Sequence, residues 1–385
     1  MDDFEFYNNT RIIFGRDSVC KAGKRVSGLA DSILLVVGSA SARKSGLLDR
    51  VAQDMEDNGV KVELLEGVRS NPLLSKVYEG IELAIRKDIQ AVVALGGGSV
   101  MDTAKAIAAG SVADHDVWDF FKGRKVVSGA LPVVTIPTLA ASGSEMNGFM
   151  VITDEMSGYK LAAGSELLFP RFSILDPVLT FSVSPYYTAC GAVDAVCHIL
   201  ESYFNGPALH TPVTDRMAEG IVASIIPVAS LCLREPENYD ARAALMWASS
   251  LALSGLCKAG VGEHFFPVHL LEHSVSALFP VAHGAGLAAL LPGWMRWHAR
   301  VDGGTDKIVQ LGKRIFGTGN SAQSVINVLS GWMQNLGLPV TLSGLDIKED
   351  DIGRLADNAL YQARIWGVDT IYSHGVMKDI FLECM

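Results

Sequence analysis

The spacing of apolar residues changes once along the chain, near residue 184, and separates two halves of different texture. Before that point short β-branched runs alternate with amphipathic stretches. Ser32–Gly38, Lys61–Glu66, Ala91–Gly98, Leu131–Thr138 and Phe172–Pro177 read as strands, mostly apolar on both faces. Between them GLLDRVAQDMEDNG and VYEGIELAIRKD place apolar residues at helical spacing. This alternation predicts a parallel, doubly wound sheet, so residues 1–183 are expected to form an α/β, Rossmann-like domain. After Ser182–Pro185 the segments become long, Ala- and Leu-rich and helical in period, with no strand pattern. An all-α domain is expected over 184–385, with exposed breaks near Arg234–Asp240, Gly317–Ala322 and Leu345–Asp351. No repeat or low-complexity tract is present.

Composition narrows the class. At 385 residues the chain exceeds the size at which one core keeps growing, and only 19% of it is charged, so two well-buried domains are expected. A net charge of −10 argues against nucleic acid and anionic membrane as partners. The opening MDDFEFYNNTR is acidic where a secretory leader is basic and then apolar. The uncharged apolar run Gly220–Leu233 contains Pro227, is too short to span a bilayer and reads as a buried helix. Six cysteines without a CxxC pair fit reduced thiols, hence a cytoplasmic setting, and Cys197 reads as an apolar filler.

Chemistry concentrates in the helical half. In GAVDAVCHILESY, Asp194 and His198 stand four apart on a predicted helix, on one face, where both can grip a single ion. HLLEHSVSALF repeats the device with His269 and His273, and His283 falls in the expected turn VAHGAG. A lone histidine on an apolar helix is usually a hydrogen-bonded core residue. Several beside one aspartate, in stretches where an unpaired polar group costs ~1–3 kcal/mol, point instead to a metal site. One carboxylate with imidazoles suits Fe, Zn, Mn or Ni better than Ca or Mg. Spacing leaves open which of His269 and His273 is a ligand.

The first half carries a phosphate-binding signature. A strand runs into Gly96, Gly97, Gly98 and Ser99 and then into VMDTAKAIAAG, so bare amides and a helix N-terminus face the same point. A pyrophosphate is the expected guest, although the run is neither GxGxxG nor a P-loop. TIPTLAASGSEMN supplies Thr135, Thr138, Ser142, Gly143, Ser144 and Asn147, expected at a strand's carboxyl end.

These segments resemble the iron-containing (group III) alcohol dehydrogenases. The resemblance runs through Thr10–Gly15, Gly96–Ala108, Thr135–Glu145, Asp176–Thr180, Gly191–Tyr203 and His269–Met295. It is strongest to the butanol-dehydrogenase-like branch of aldehyde reductases, often NADP-dependent. It implies the dehydroquinate-synthase-like fold, with a nucleotide domain, a helical metal domain and a cleft between them. It also implies Fe2+ or Zn2+ on Asp194, His198, His269 and His283, with His273 uncoordinated beside substrate and nicotinamide. Cofactor contacts are implied at Gly38, Ser39, Ser41, Gly97, Gly98, Ser99, Asp102, Thr135, Thr138, Ser144, Asn147 and Leu179. Lys160 would touch the cofactor, and Asn71 with Pro72 would border its phosphates. A homodimer or higher homo-oligomer is implied as well. Two departures are Leu139-Ala140-Ala141, which leaves fewer hydroxyls near the nicotinamide, and Phe279-Pro280 before His283, the second implying a more apolar substrate pocket.

The implied reaction is hydride transfer between a small alcohol or aldehyde and NAD(P)(H), with a Lewis-acidic ion at the substrate oxygen and His273 relaying the proton. One carboxylate against a dication would leave the site net positive. Rival readings are a dehydroquinate-synthase-like lyase or polyol dehydrogenase, a non-catalytic metal-binding scaffold, and an HxxEH metallopeptidase using Glu272 as base and Glu349 as ligand. For the coenzyme, no acid stands at Ser39 to repel a 2′-phosphate. Ser39 and Ser41 can donate to one, with Arg43 as counter-charge, so NADP(H) is expected over NAD(H).

Overall fold

The computed structural model describes residues 1–38, 41–207, 210–301, 304–318 and 320–385. They form two compact units, Asn8–Val183, and Ser184–Met385 together with Met1–Tyr7. The first seven residues thus depart from the expected division: the Asp2 amide donates to the Gly260 carbonyl, tying this segment to the helical unit.

In the unit Asn8–Val183 the strands are β1 (Arg11–Phe14), β2 (Ser32–Gly38), β3 (Lys61–Val68), β4 (Ala91–Gly96), β5 (Val133–Pro137), β6 (Phe149–Asp154), β7 (Tyr159–Gly164) and β8 (Phe172–Leu175). Its helices are α1 (Ala22–Val26), α2 (Ser41–Lys44), α3 (Leu47–Asp57), α4 (Leu74–Arg86), α5 (Gly98–Gly110) and α6 (Trp118–Phe121). Six strands make one parallel sheet in the order β1-β8-β5-β4-β2-β3. From β2 the chain moves outward to β3 and then returns past β2 to β4. The carboxyl ends of β2 and β4 therefore flank a topological switch point, where open α/β sheets bind ligands. Gly38 ends one of these strands and Gly96 the other, with Val37 paired to Leu95.

Ile33, Leu35, Val93, Leu95, Val134, Ile136 and Ile174 build the core with Leu48, Val51 and Met55 of α3. β3 is an edge strand with only two of its eight residues buried, not the doubly buried strand its composition suggests. The sequence reading also missed β6 and β7, an antiparallel hairpin turned at Gly158. Thr153 of β6 pairs with Leu73 and donates its amide to Pro72, which fixes the preceding Asn71 in a left-handed conformation tolerable for asparagine.

The turn after β5 is held by one buried cation. Lys105 of α5, fully buried, donates to the carbonyls of Ser144, Asn147 and Phe149 at 2.7, 2.8 and 3.0 Å, and to the Ser144 hydroxyl at 2.8 Å. Ser144 in turn donates to Asp102, whose other oxygen accepts the Val151 amide. Burial pushes the Lys105 ammonium down to about 8, against the pull of Asp102 and Glu145.

The second unit contains α7 (Pro185–Asn205), α8 (Pro212–Arg234), α9 (Tyr239–Ala252), α10 (Pro267–Leu278), α11 (His283–His298), α12 (Gly304–Leu311), α13 (Ala322–Asn335), α14 (Ile352–Ile365) and α15 (His374–Glu383). α8 starts upstream of the uncharged run and keeps Pro227 inside it; at 23 residues it is long and apolar enough to cross a membrane by length and composition. Its buried Asp215 and Glu219, however, bind Lys307 and Arg314, as in a helix packed within protein.

Lys105→Met should leave three carbonyls and Asp102 without their cation and destabilise the protein by ~3 kcal/mol or more. Urea unfolding measures this; an unchanged midpoint would show that the ammonium contributes nothing to holding the turn.

Candidate metal centre

Three helices converge on Asp194. α7 begins with Pro185 in its first turn, and Ser184 caps it by accepting the Tyr187 amide. Its residues from Thr188 to Phe204 are buried, so Asp194 and His198, one turn apart, both face protein. α10 starts at Pro267 and brings in His269, with His273 a turn further on. His283 is not in a turn, as its flanking glycines suggest, but is the first residue of α11. The glycine after it serves helix packing instead, since a Cβ on Gly284 would lie 2.2 Å from the Cys190 carbonyl oxygen on α7. Only glycine lets α11 seat there, one turn before Asp194.

Around Asp194 Oδ1 stand Nδ1 of His198 at 3.4 Å, Nε2 of His269 at 3.5 Å and Nε2 of His283 at 3.8 Å. Ligand atoms about 2.1 Å from a tetrahedral ion are roughly 3.4 Å from one another, so this set fits one transition-metal ion. Asp194 Oδ1, His198 Nδ1 and His269 Nε2 are buried and have no hydrogen-bond partner. Their ligating atoms all lie within 4.8 Å of one another. The donor chemistry, one carboxylate and imidazoles, suits Fe(II) or Zn(II).

Burial pushes the His198 imidazole down to about 3, so it is neutral and free to ligate. Burial also works against charge on His269, but Glu201 and Asp194 outweigh it and raise that ring to about 10. Asp194 is raised by burial and, more strongly, lowered by the imidazoles around it, well below the usual carboxylate range. An entering ion would displace a proton from His269.

Two carboxylates missed as site residues complete the centre. Glu201, fully buried on α7, accepts the amides of Val268 and His269 and the His269 ring Nδ1 at 2.5 Å. Glu272, fully buried on α10, accepts Nδ1 of His283. Each bond turns the opposite ring nitrogen toward Asp194, as outer carboxylates do at metal-binding histidines. A signal was present: HILE and HLLE repeat the same spacing, and each glutamate serves a histidine of the next segment. Glu272 is therefore engaged with His283, and Glu349 is exposed, which removes support from the peptidase reading.

His273 lies beside this cluster. Its Nδ1 is 3.1 Å from Gln362 Oε1, and its ring centroid is 6.0 Å from that of His283 and 6.4 Å from that of Trp366.

In the other unit, Gly38 ends β2, Ser41 opens α2, Gly97 caps α5 and Gly98 with Ser99 form its first turn. Ser39 lies outside the described residues. A Cβ on Gly98 would lie 2.5 Å from the Ser142 hydroxyl, so the polar turn closes directly onto the start of α5. Thr138 follows β5, and its amide donates to the Gly96 carbonyl. Thr135 is not at the strand's carboxyl end: it is the central residue of β5, fully buried, with its hydroxyl donating to Ser173. Asp102, Ser144 and Asn147 bond largely to one another, to Lys105 and to nearby backbone. Lys160 of β7 donates to Asn71 Oδ1 at 3.0 Å, and Leu179 packs partly buried against the sheet core.

Gly284→Ala should displace α11 from α7 and pull His283 off Asp194. Elemental analysis should find most of the bound metal gone while the circular dichroism stays helical; full metal occupancy would mean that His283 keeps its place without the glycine.

The family model described as iron-containing alcohol dehydrogenase matches residues 9–177, and the C-terminal model of the Fe-containing alcohol dehydrogenase family matches 188–381. The chain is 37% identical over 367 residues to a probable NADH-dependent butanol dehydrogenase 1 of Bacillus subtilis, covering 94% of each chain. It is 34% identical over 357 residues to the NADPH-dependent aldehyde reductase YqhD of Escherichia coli, covering 90% of each. The crystal structure of NADH-dependent butanol dehydrogenase A from Thermotoga maritima superposes with a TM-score of 0.96 at 34% identity, over 100% of this chain and 99% of that one. With both family models spanning nearly all of its length, the chain belongs to the iron-containing alcohol dehydrogenase family.

Proposed function

We propose that this NAD(P)-dependent alcohol dehydrogenase or aldehyde reductase holds one Fe2+ or Zn2+ ion on Asp194, His198, His269 and His283, uses His273 for proton transfer, and acts on small apolar alcohols or aldehydes. The observation that carries the reading is the buried Asp194 oxygen facing three imidazole nitrogens at 3.4 to 3.8 Å. When bound, the ion supplies Lewis acidity toward a substrate oxygen and the nicotinamide supplies or accepts the hydride. The chain's own residues do the remainder. Glu201 and Glu272 orient His269 and His283. Gln362 orients the His273 ring, which exchanges a proton with the substrate oxygen. Phe266, edge-on to His198 and His269 at 6.2 and 5.7 Å, and Trp366 beside His273 give the surroundings an apolar wall. Relatives named for butanol and for aldehydes are in keeping with such a substrate.

The nicotinamide nucleotide is assigned to the switch point, with the amides of Gly97, Gly98 and Ser99 at its pyrophosphate. Asn71 and Lys160 would stand at its phosphates, with the other contacts implied by the resemblance except Thr135, whose hydroxyl is bonded to Ser173 inside the sheet. NADP(H) is the favoured coenzyme, since the segment after β2 carries serines, Arg43 and Lys44 and no acid. A homo-oligomer in a reducing, cytoplasmic setting accords with the family resemblance and with free thiols at Cys190, Cys197, Cys232, Cys257 and Cys384, all buried.

Purified protein assayed with butanal and analysed for metal tests the site. Asp194→Ala should lose both ion and turnover. His273→Ala should keep the ion and lose about 10²–10⁴ in rate; if it instead released the metal while His269→Ala retained it, the two histidines have exchanged roles. Steady-state kinetics with both coenzymes test the preference: kcat/KM is expected to be higher with NADPH, and a higher value with NADH sinks that part of the reading.

A further inference from the structure

Next to the switch point, an arginine and a glutamate of opposite consequence are locked together. Arg43 of α2 donates through Nε to Glu66 Oε1 at 2.8 Å and through a terminal nitrogen to Oε2 at 2.7 Å, a two-pronged grip. Asp49 is the other carboxylate near this guanidinium, at 3.8 Å. Glu66 stands near the carboxyl end of β3, the strand that pairs with β2 and follows it in the chain. In dinucleotide-binding sheets an acid at a strand's carboxyl end beside the adenine ribose bonds the 2′-hydroxyl of NAD, whereas a nearby arginine accommodates the 2′-phosphate of NADP. Here one of each is present, and each occupies the other.

We propose that the Arg43–Glu66 pair is a coenzyme discriminator, in which Glu66 competes with the 2′-phosphate for the guanidinium of Arg43 and so limits the preference for NADP(H). This rests on the nucleotide lying at the switch point between β2 and β4. The competition is chemically even. Carboxylate and phosphate both match the planar fork of an arginine, and a phosphate brings more charge to it. Arg43 is 53% exposed and Glu66 34%, so water screens the pair and an incoming phosphate can open it. Removing the glutamate charge frees the fork for the phosphate; removing the arginine removes the group for which carboxylate and phosphate compete.

The test is calorimetric binding of ADP-ribose and its 2′-phosphate to the full chain and to Glu66→Gln, Arg43→Gln and the double variant, with the NADPH-to-NADH ratio of kcat/KM measured alongside. Glu66→Gln should move the ratio of the two dissociation constants about tenfold toward the 2′-phosphate, and Arg43→Gln about tenfold away from it. The double variant should behave as Arg43→Gln, because the glutamate acts through the arginine. An unchanged ratio in Glu66→Gln, or the same gain in the absence of Arg43, overturns the proposal while leaving the nucleotide site intact. If neither probe binds the unaltered chain, the nucleotide site itself is misplaced and the discriminator falls with it.

Discussion

A carboxylate buried among imidazoles organises the helical unit. Asp194 is buried, and its Oδ1 faces ring nitrogens without a hydrogen bond to any of them. Such a group is strongly destabilising unless a cation takes up its charge. The same unit shows what a closed solution looks like. Asp215 binds the Lys307 ammonium through both oxygens and also accepts from Thr211 and Gln310, while Glu219 accepts from Tyr203 and Arg314. Those acids are satisfied by protein alone. The contrast is between a closed ion-pair network and a cluster whose buried donors are left open, which accords with the ion proposed where three helix segments meet.

The outer carboxylates alter the electrostatics expected from the ligands alone. Asp194 against a dication would leave the site positive. With Glu201 and Glu272 buried beside the histidines of the proposed ligand set, their carboxylates and that of Asp194 would offset the charge of a dication. In that proposed site an alkoxide would be stabilised by direct ligation at short range more than by a general positive field. The proton transfer proposed for His273 would then fall to a ring held in place by Gln362.

Much of this was legible because it depends on period. The strands β2, β4, β5 and β8 are near-continuous apolar runs, and Asp194 with His198 lies at a helical repeat. What escaped was set by tertiary contact. His283 looked like a turn residue since glycine flanks it, and only the close approach of α11 to Cys190 shows that Gly284 serves packing between helices. The role of β6 and β7 emerges only when Thr153 pairs with Leu73 and holds the segment carrying Asn71. Thr135 looked available in a polar run, yet its hydroxyl belongs to the sheet interior. Spacing could not choose between His269 and His273 either. The distinction comes from Glu201 turning one ring toward Asp194 while Gln362 holds the other aside.

The unit Asn8–Val183 is organised differently. Its polar turn after β5 is rich in hydroxyls and amides, but Ser144, Asn147 and Asp102 are largely bonded to one another and to Lys105. A phosphate arriving at the switch point would therefore meet mainly backbone: the amides of Gly97 to Ser99 at the start of α5, in a loop pressed against Ser142. Backbone recognition of this kind fixes where a dinucleotide binds but cannot tell two coenzymes apart, because both carry the same pyrophosphate. Discrimination would be left to side chains at the margin, as proposed for Arg43 of α2 and Glu66 of β3, where exposure keeps each interaction weak enough for one charge to tip the balance.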